Sequence, residues 1–214
     1  MTESYRFILC EDRISPGGEV DYLTAGANRL LFCLDGSAGT GTDTPLTTGN
    51  AIMAPGITRL VTGYDGALIW RWELVPEDVF DETEGMGLTT HVLHECELDM
   101  NPDQIYAFIL EGIVLASESE YPEHELPGPA IACLFAGEIT RSANNKQYKV
   151  QAGKPWQEDE GYLYGYANAE EEPAALNRGM IIPVDDEGVS LSQPTTDDAA
   201  DIVHTIHASG IVVL

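Results

Sequence analysis

Basic residues are scarce in this 214-residue chain: seven arginines and three lysines stand against 36 aspartates and glutamates, for a formal charge of −26. Phosphate backbones and anionic lipid surfaces are gripped by Lys and Arg, so this balance excludes nucleic acid and the membrane as partners. An excess of acid with little lysine suits either salty surroundings or simply acidic loops. Long apolar runs are also missing, and none approaches the ~20 residues that cross a bilayer. The opening "MTESYRFILCEDR" has no basic region followed by an apolar one, so no signal peptide is expected and the protein reads as cytoplasmic. Four cysteines (Cys10, Cys33, Cys96, Cys133) show no CxxC spacing, and Cys33 and Cys133 sit in apolar runs as reduced thiols do. No Walker sequence, GxGxxG or GxSxG occurs; the glycine-rich "GSAGTG" at 36–41 falls in an expected hairpin turn.

The chain instead says something twice. "YRFIL" at 5–9 returns as "YAFIL" at 106–110, and "LLFCLDG", ending at Gly36, returns as "ACLFAG", ending at Gly137, both at an offset of 101. Gly49 of "TTGNA" answers Gly153 of "QAGKP" at 104, and "WRWELVP" answers "NRGMIIP" at 107, pairing Arg71 with Arg178 and Pro76 with Pro183. The offset grows by three only where a turn is expected, and insertions in turns disturb no ladder.

The repeated unit reads as β. "RLLFCL", "AIMAP", "ALIWRWELV", "AIACLF" and "LNRGMIIP" are short, branched or aromatic, and bounded by Gly, Pro, Asn or Asp. Such spacing belongs to an antiparallel sandwich or barrel. The acidic segment 79–104 is expected to join the halves. Near the end, "TTDDAADIVHTIHASG" (195–210) has a threonine cap, early acids and a closing glycine, which predicts a short helix burying Ala199, Ile202, Val203 and Ile206.

The stretch "GKPWQEDEGYLYGYAN" (153–168) resembles the second motif of the cupin family: glycine, then proline, glycine, histidine and asparagine at six, eight, eleven and fifteen places further on. Gly153, Gly161 and Asn168 match; Asp159 replaces the proline and Tyr164 the histidine. In the first repeat Gly49 and Pro55 match, whereas Ile57, Leu60 and Tyr64 depart. The resemblance implies an all-β protein of two tandem cupin-type jelly-roll barrels (double-stranded β-helices), a bicupin covering 5–76 and 106–183. The domains are expected at 1–85 and 86–214. Glycine supplies backbone angles costly to other residues, and asparagine bonds neighbouring backbone at a bend, so both are needed with or without a metal.

The family's four metal ligands would fall on Leu23, Ala25, Arg29 and Leu60 in the first repeat, and on His124, Leu126, Ala130 and Tyr164 in the second. A divalent transition ion needs three or four N, O or S donors; leucine and alanine offer none, so no metal and no cofactor are expected. His91 with His94, and His204 with His207, have i, i+3 spacing. The first pair should split across a strand. The second pair should sit at a helix carboxyl end, where the dipole favours cationic histidine, or could assemble a site with His124.

A barrel without metal still offers a small-molecule cavity. His124 and Tyr164 are the first candidates for its lining, with Tyr162 and Tyr166 on the same face of a regular strand. Arg178 and Arg71 could each hold a carboxylate if inward. In "WRWEL", however, Trp70 and Trp72 alternate with Arg71 and Glu73, and the apolar pair is the expected interior one. The leading expectation is therefore a metal-independent, small-molecule-binding bicupin: a sensor, a carrier or a metal-free isomerase or lyase. The alternatives are a metal-dependent cupin oxygenase built around His124, and an assembly barrel with closed interiors. Partners would be the small molecule and, as the resemblance implies, a second copy in a homodimer.

Overall fold

The computed structural model describes residues 2–41, 45–79, 82–184, 201–212 and 214. Fifteen strands carry the described chain: β1 (Glu3–Tyr22), β2 (Asn28–Gly39), β3 (Leu46–Thr47), β4 (Ala51–Met53), β5 (Thr58–Pro76), β6 (Thr83–Met100), β7 (Tyr106–Leu115), β8 (Ser119–Glu125), β9 (Ala130–Ala136), β10 (Glu138–Ala143), β11 (Lys146–Gln151), β12 (Pro155–Glu158), β13 (Leu163–Asn168), β14 (Ala174–Pro183) and β15 (Ile202–Ile211). They form two compact units, 1–104 with 208–214, and 105–207.

The first unit is one antiparallel sheet in the order β3-β2-β5-β1-β6, with β4 on β2. Its two longest strands, β1 and β5, break register between Ile14 and Glu19. There Thr62 Oγ1 donates to the carbonyls of Ser15 (2.8 Å) and Gly18 (3.0 Å). Such a bulge bends a strand, so Ile14 and Tyr22 from one strand join Leu60 and Ile69 from the other in a single core.

In the second unit a four-stranded sheet, β11-β10-β13-β8, and a five-stranded sheet, β12-β9-β14-β7-β15, share their cores. Ile113, Ala132, Leu134, Trp156 and Leu176 from the larger sheet pack with Tyr121, Ile139 and Tyr166 from the smaller.

The ladders of the two units run in the same register. Arg71 faces Cys10 on one side and Leu31 on the other; Arg178 faces Glu111 and Ala132. Phe32 pairs with Ala51 as Cys133 pairs with Pro155. Gly49 and Gly153 hold φ of 81° and 80°, a left-handed conformation that suits glycine, and each donates its N–H back to an earlier strand, to the carbonyls of Cys33 in β2 and Leu134 in β9. Asn168 Nδ2 donates to the carbonyls of Ala116 and Glu172 at 2.9 Å, and its Oδ1 accepts from the Glu170 N–H at 3.0 Å.

The segment expected to join the halves lies between them in the chain and also carries β6, an 18-residue strand bonded along β1. Within the described part of the expected C-terminal helix there is none: Ile202–Ile211 is a strand beside β7, while 195–200, with Ala199, lie outside the described residues. Val203 is 58% and Ile206 41% exposed, so the expected buried stripe does not exist. Tertiary pairing with a waiting sheet edge outweighed local capping signals worth only about 1 kcal/mol.

Candidate functional site

Period-two alternation builds a polar layer inside the second unit. Along β14, Leu176 and Met180 belong to the two interior clusters, so Arg178 between them points inward as well. Ile109 and Ile113 do the same for Glu111 on β7, and the ladder sets Glu111 directly opposite Arg178. Glu158 follows Trp156 by two places on β12. Tyr121 and His124 come from β8, where a register shift relative to β13 gives Tyr164↔His124 and Tyr166↔Tyr121.

These groups bond one another. Arg178 donates from Nε and Nη2 to Glu111, and its Nη1 reaches Glu158 Oε2 at 3.1 Å, Tyr166 Oη at 3.2 Å and His124 Nε2 at 3.2 Å. Glu158 Oε1 accepts from Trp156 Nε1 and Tyr166 Oη, both at 2.6 Å. His204 Nε2 lies 2.5 Å from Glu111 Oε2. Tyr121 stands edge-on to His124, with 4.7 Å between ring centroids.

Burial would push the Glu111 carboxyl up, but the Arg178 guanidinium and His204 outweigh it and hold it below the ordinary carboxylate value. For His124, burial and then the Arg178 cation both favour the neutral ring, so its pKa falls. Neutral His124 can accept a hydrogen bond from Arg178 at Nε2. Burial lifts the Tyr121 hydroxyl to about 12 and raises that of Tyr166 as well. The layer thus offers a neutral imidazole, protonated phenols and a fixed cation.

The first unit contains a corresponding layer. Asp12, Arg29, Arg71 and Glu73 are all enclosed. Arg71 Nε donates to Asp12 Oδ2 at 2.9 Å and its Nη1 to Glu73, while Arg29 pairs with Glu73. Tyr22 Oη and Thr90 Oγ1 donate to Asp12 at 2.8 and 2.6 Å. The expected exclusion of Arg71 and Glu73 from the interior is therefore wrong: they lie inside, and Trp70 and Trp72 are buried on the other face. A buried guanidinium is tolerable because carboxylates surround it.

Among the expected lining residues, the structure brings together His124, Tyr166 and Arg178. Tyr164 is buried nearby, its Oη accepting the Asp159 N–H at 2.7 Å. Tyr162 precedes β13 and is 47% exposed, so it does not share the inward facing expected of it. His204 reaches the layer, but from a strand rather than a helix end. His207, an odd three places on, lies over the outward side of Gly112. Glu111, Glu158 and Tyr121 were missed, although Glu111 is a lone acid in the apolar run "YAFILEGIVL".

A metal of the kind the resemblance implies does not fit these donors. Leu60, Leu126 and Ala130 are core residues, Arg29 is itself cationic, and the Nε2 of His124 faces a guanidinium. Among the described residues, no three His, Cys, Asp or Glu side chains are grouped to hold an ion.

The architecture is that of cupin-type jelly-roll barrels. No protein-family model and no curated protein sequence matches the chain. Solved structures do. AerE from Microcystis aeruginosa superposes with a TM-score of 0.60 at 14% identity, over 82% of this chain and 88% of that one. Oxalate decarboxylase from Bacillus subtilis, a protein with Mn(II) centres, gives 0.60 at 10% identity over 81% of this chain and 68% of its own. At such identities the likeness is one of fold.

Proposed function

We propose that the second unit binds a small organic molecule without a metal, at the layer of His124, Arg178, Tyr166 and Tyr164. The first unit is a copy kept for its shape, which makes the chain a bicupin with decayed metal motifs. One observation carries this reading: His124, the surviving ligand-position histidine, turns Nε2 to Arg178 at 3.2 Å. The central positive charge is a guanidinium where a metal-binding barrel would have an ion.

Metal analysis of purified protein, with a thermal-melting screen against a small-molecule library, tests the reading. Substoichiometric metal and a binder whose melting shift vanishes in His124→Ala are the expected results. Stoichiometric iron, nickel or manganese that disappears in His124→Ala would establish the metal-dependent oxygenase reading instead. A second reading, a closed structural interior, is favoured by the engagement of all three Arg178 nitrogens. It predicts that no library member shifts the melting temperature and that Tyr164→Phe alters stability alone.

A further inference from the structure

Residues 139–157, "ITRSANNKQYKVQAGKPWQ", hold four of the ten basic residues and no Asp or Glu, in a chain with 36 acids. All three lysines are among them. The stretch folds into most of β10, all of β11 and the start of β12, so the positive groups gather along one hairpin and the strand after it. Lys149 is paired with Glu138 at 2.9 Å, while Lys146 and Lys154 are exposed.

Arg141 is the member that turns inward. Its neighbours two places away, Ile139 and Ala143, belong to the interior clusters. Its guanidinium carbon lies 5.1 Å from the Tyr164 ring centroid, 5.7 Å from Tyr148 and 5.8 Å from Trp156. Rings at such distances attract a cation and fix its plane.

The other enclosed arginines are bound to carboxylates: Arg29 to Glu73, Arg71 to Asp12 and Glu73, Arg178 to Glu111 and Glu158. Arg141 is not. Its Nη2 donates to the Gln157 carbonyl at 3.1 Å. Its buried Nε has no hydrogen-bond partner, with Glu158 Oε1 at 3.6 Å, beyond hydrogen-bond reach. Its Nη1 has no hydrogen-bond partner among the described residues. The side chain is 13% exposed. A guanidinium set among three rings, with Nη1 unengaged and the side chain partly open to solvent, matches a carboxylate in shape and charge. Because its orientation is already fixed, little ordering entropy remains to be lost on binding. Residues 139–157 bring no acid of their own to the guanidinium, and Glu158 beside it is already engaged by Arg178.

We infer that Arg141 is the anion-recognition residue of the second unit and that the ligand is a small organic carboxylate. The inference rests on the small-molecule reading above and adds the chemical class.

The test uses acetate, benzoate and succinate as probes at low ionic strength, with benzamide and benzylamine as neutral and cationic counterparts of benzoate. Melting shifts and the fluorescence of Trp156, beside Arg141, are the readouts. At least one carboxylate should bind saturably, weaken with added salt and lose at least tenfold in affinity in Arg141→Gln. Arg141→Lys should recover only part of it, since a point charge lacks the fork. Circular dichroism and unliganded melting temperatures separate misfolded variants from those that have lost recognition. Equal binding of benzoate and benzamide, unchanged carboxylate affinity in Arg141→Gln, or no carboxylate binding would overturn the inference. A neutral or cationic library member that binds when no carboxylate does leaves the small-molecule reading standing; failure of every compound removes both.

Discussion

The two units place a charged layer at the same level of their interiors but compose it differently. In the first, two arginines meet two carboxylates, and Asp12 receives further bonds from Tyr22 and Thr90. That quartet is balanced by charge and contains no histidine. In the second, one central arginine meets two carboxylates, with His124, His204 and two buried tyrosines around it. At position 130, which corresponds to Arg29, there is an alanine. Removing that second cation leaves groups able to accept, donate or hold protons. A closed charge quartet stiffens a core; a layer with neutral imidazole and phenols can also address a ligand.

The sharpest way to break this comparison is to remove each central cation. Arg178→Met leaves Glu111 and Glu158 buried without their main partner and should destabilise the protein by about 3–5 kcal/mol. Arg71→Met should cost about half as much, because Arg29 still holds Glu73. Urea midpoints measure both, and the reverse order would show that the second cation in the first unit is not the buffer described here.

A smaller effect is expected from the phenols. Tyr166→Phe removes a hydrogen bond to Glu158 and an acceptor for Arg178; Tyr22→Phe removes one to Asp12. Hydrogen bonds to charged groups contribute about 1.5–3 kcal/mol, with Tyr166 expected at the upper end and Tyr22 at the lower. Equal losses in urea titrations would remove the claimed difference.

The smallest effect is pH dependence. The folded-state pKa of His124 lies below its unfolded value of about 6.5, so the unfolded chain takes up that proton first on acidification. The stability contributed is complete above about pH 6.5 and drains as pH falls. Glu111, also lowered, adds a second loss through the carboxylate range. Stability measured from pH 8 to 5 should decline at the acid end, and His124→Asn should flatten that decline. An unchanged slope would separate His124 from the layer.

Much of the fold was legible because it is local. Alternating apolar residues announced strands, and the offsets of 101, 104 and 107 reappear as matching ladder pairs. The site was half legible. His124 was picked from the ligand position the resemblance implies, Tyr166 from sharing a strand face with Tyr164 and Arg178 from the repeat, whereas Glu111 and Glu158 stayed hidden because their meaning depends on what stands opposite. "WRWEL" misled for a related reason: burying its apolar pair was assumed to expose the charged pair, but a sheet covered on both sides buries every residue. The stretch 195–210 misled through helix-like ends, whose modest preferences lost from Ile202 on to the β7 edge.

The sequence by itself determined most of the strands, the glycine corners at Gly49 and Gly153, and which of the family's ligand positions carry side chains without a donor atom. Each of those follows from backbone angles or side-chain chemistry at a single place. Only the tertiary structure decided that Arg71 would meet Asp12, 59 residues away, or Arg178 meet Glu111, 67 residues away. Charges in water tolerate many neighbours, but those enclosed in a barrel require particular partners, and closure of the sheets chooses them.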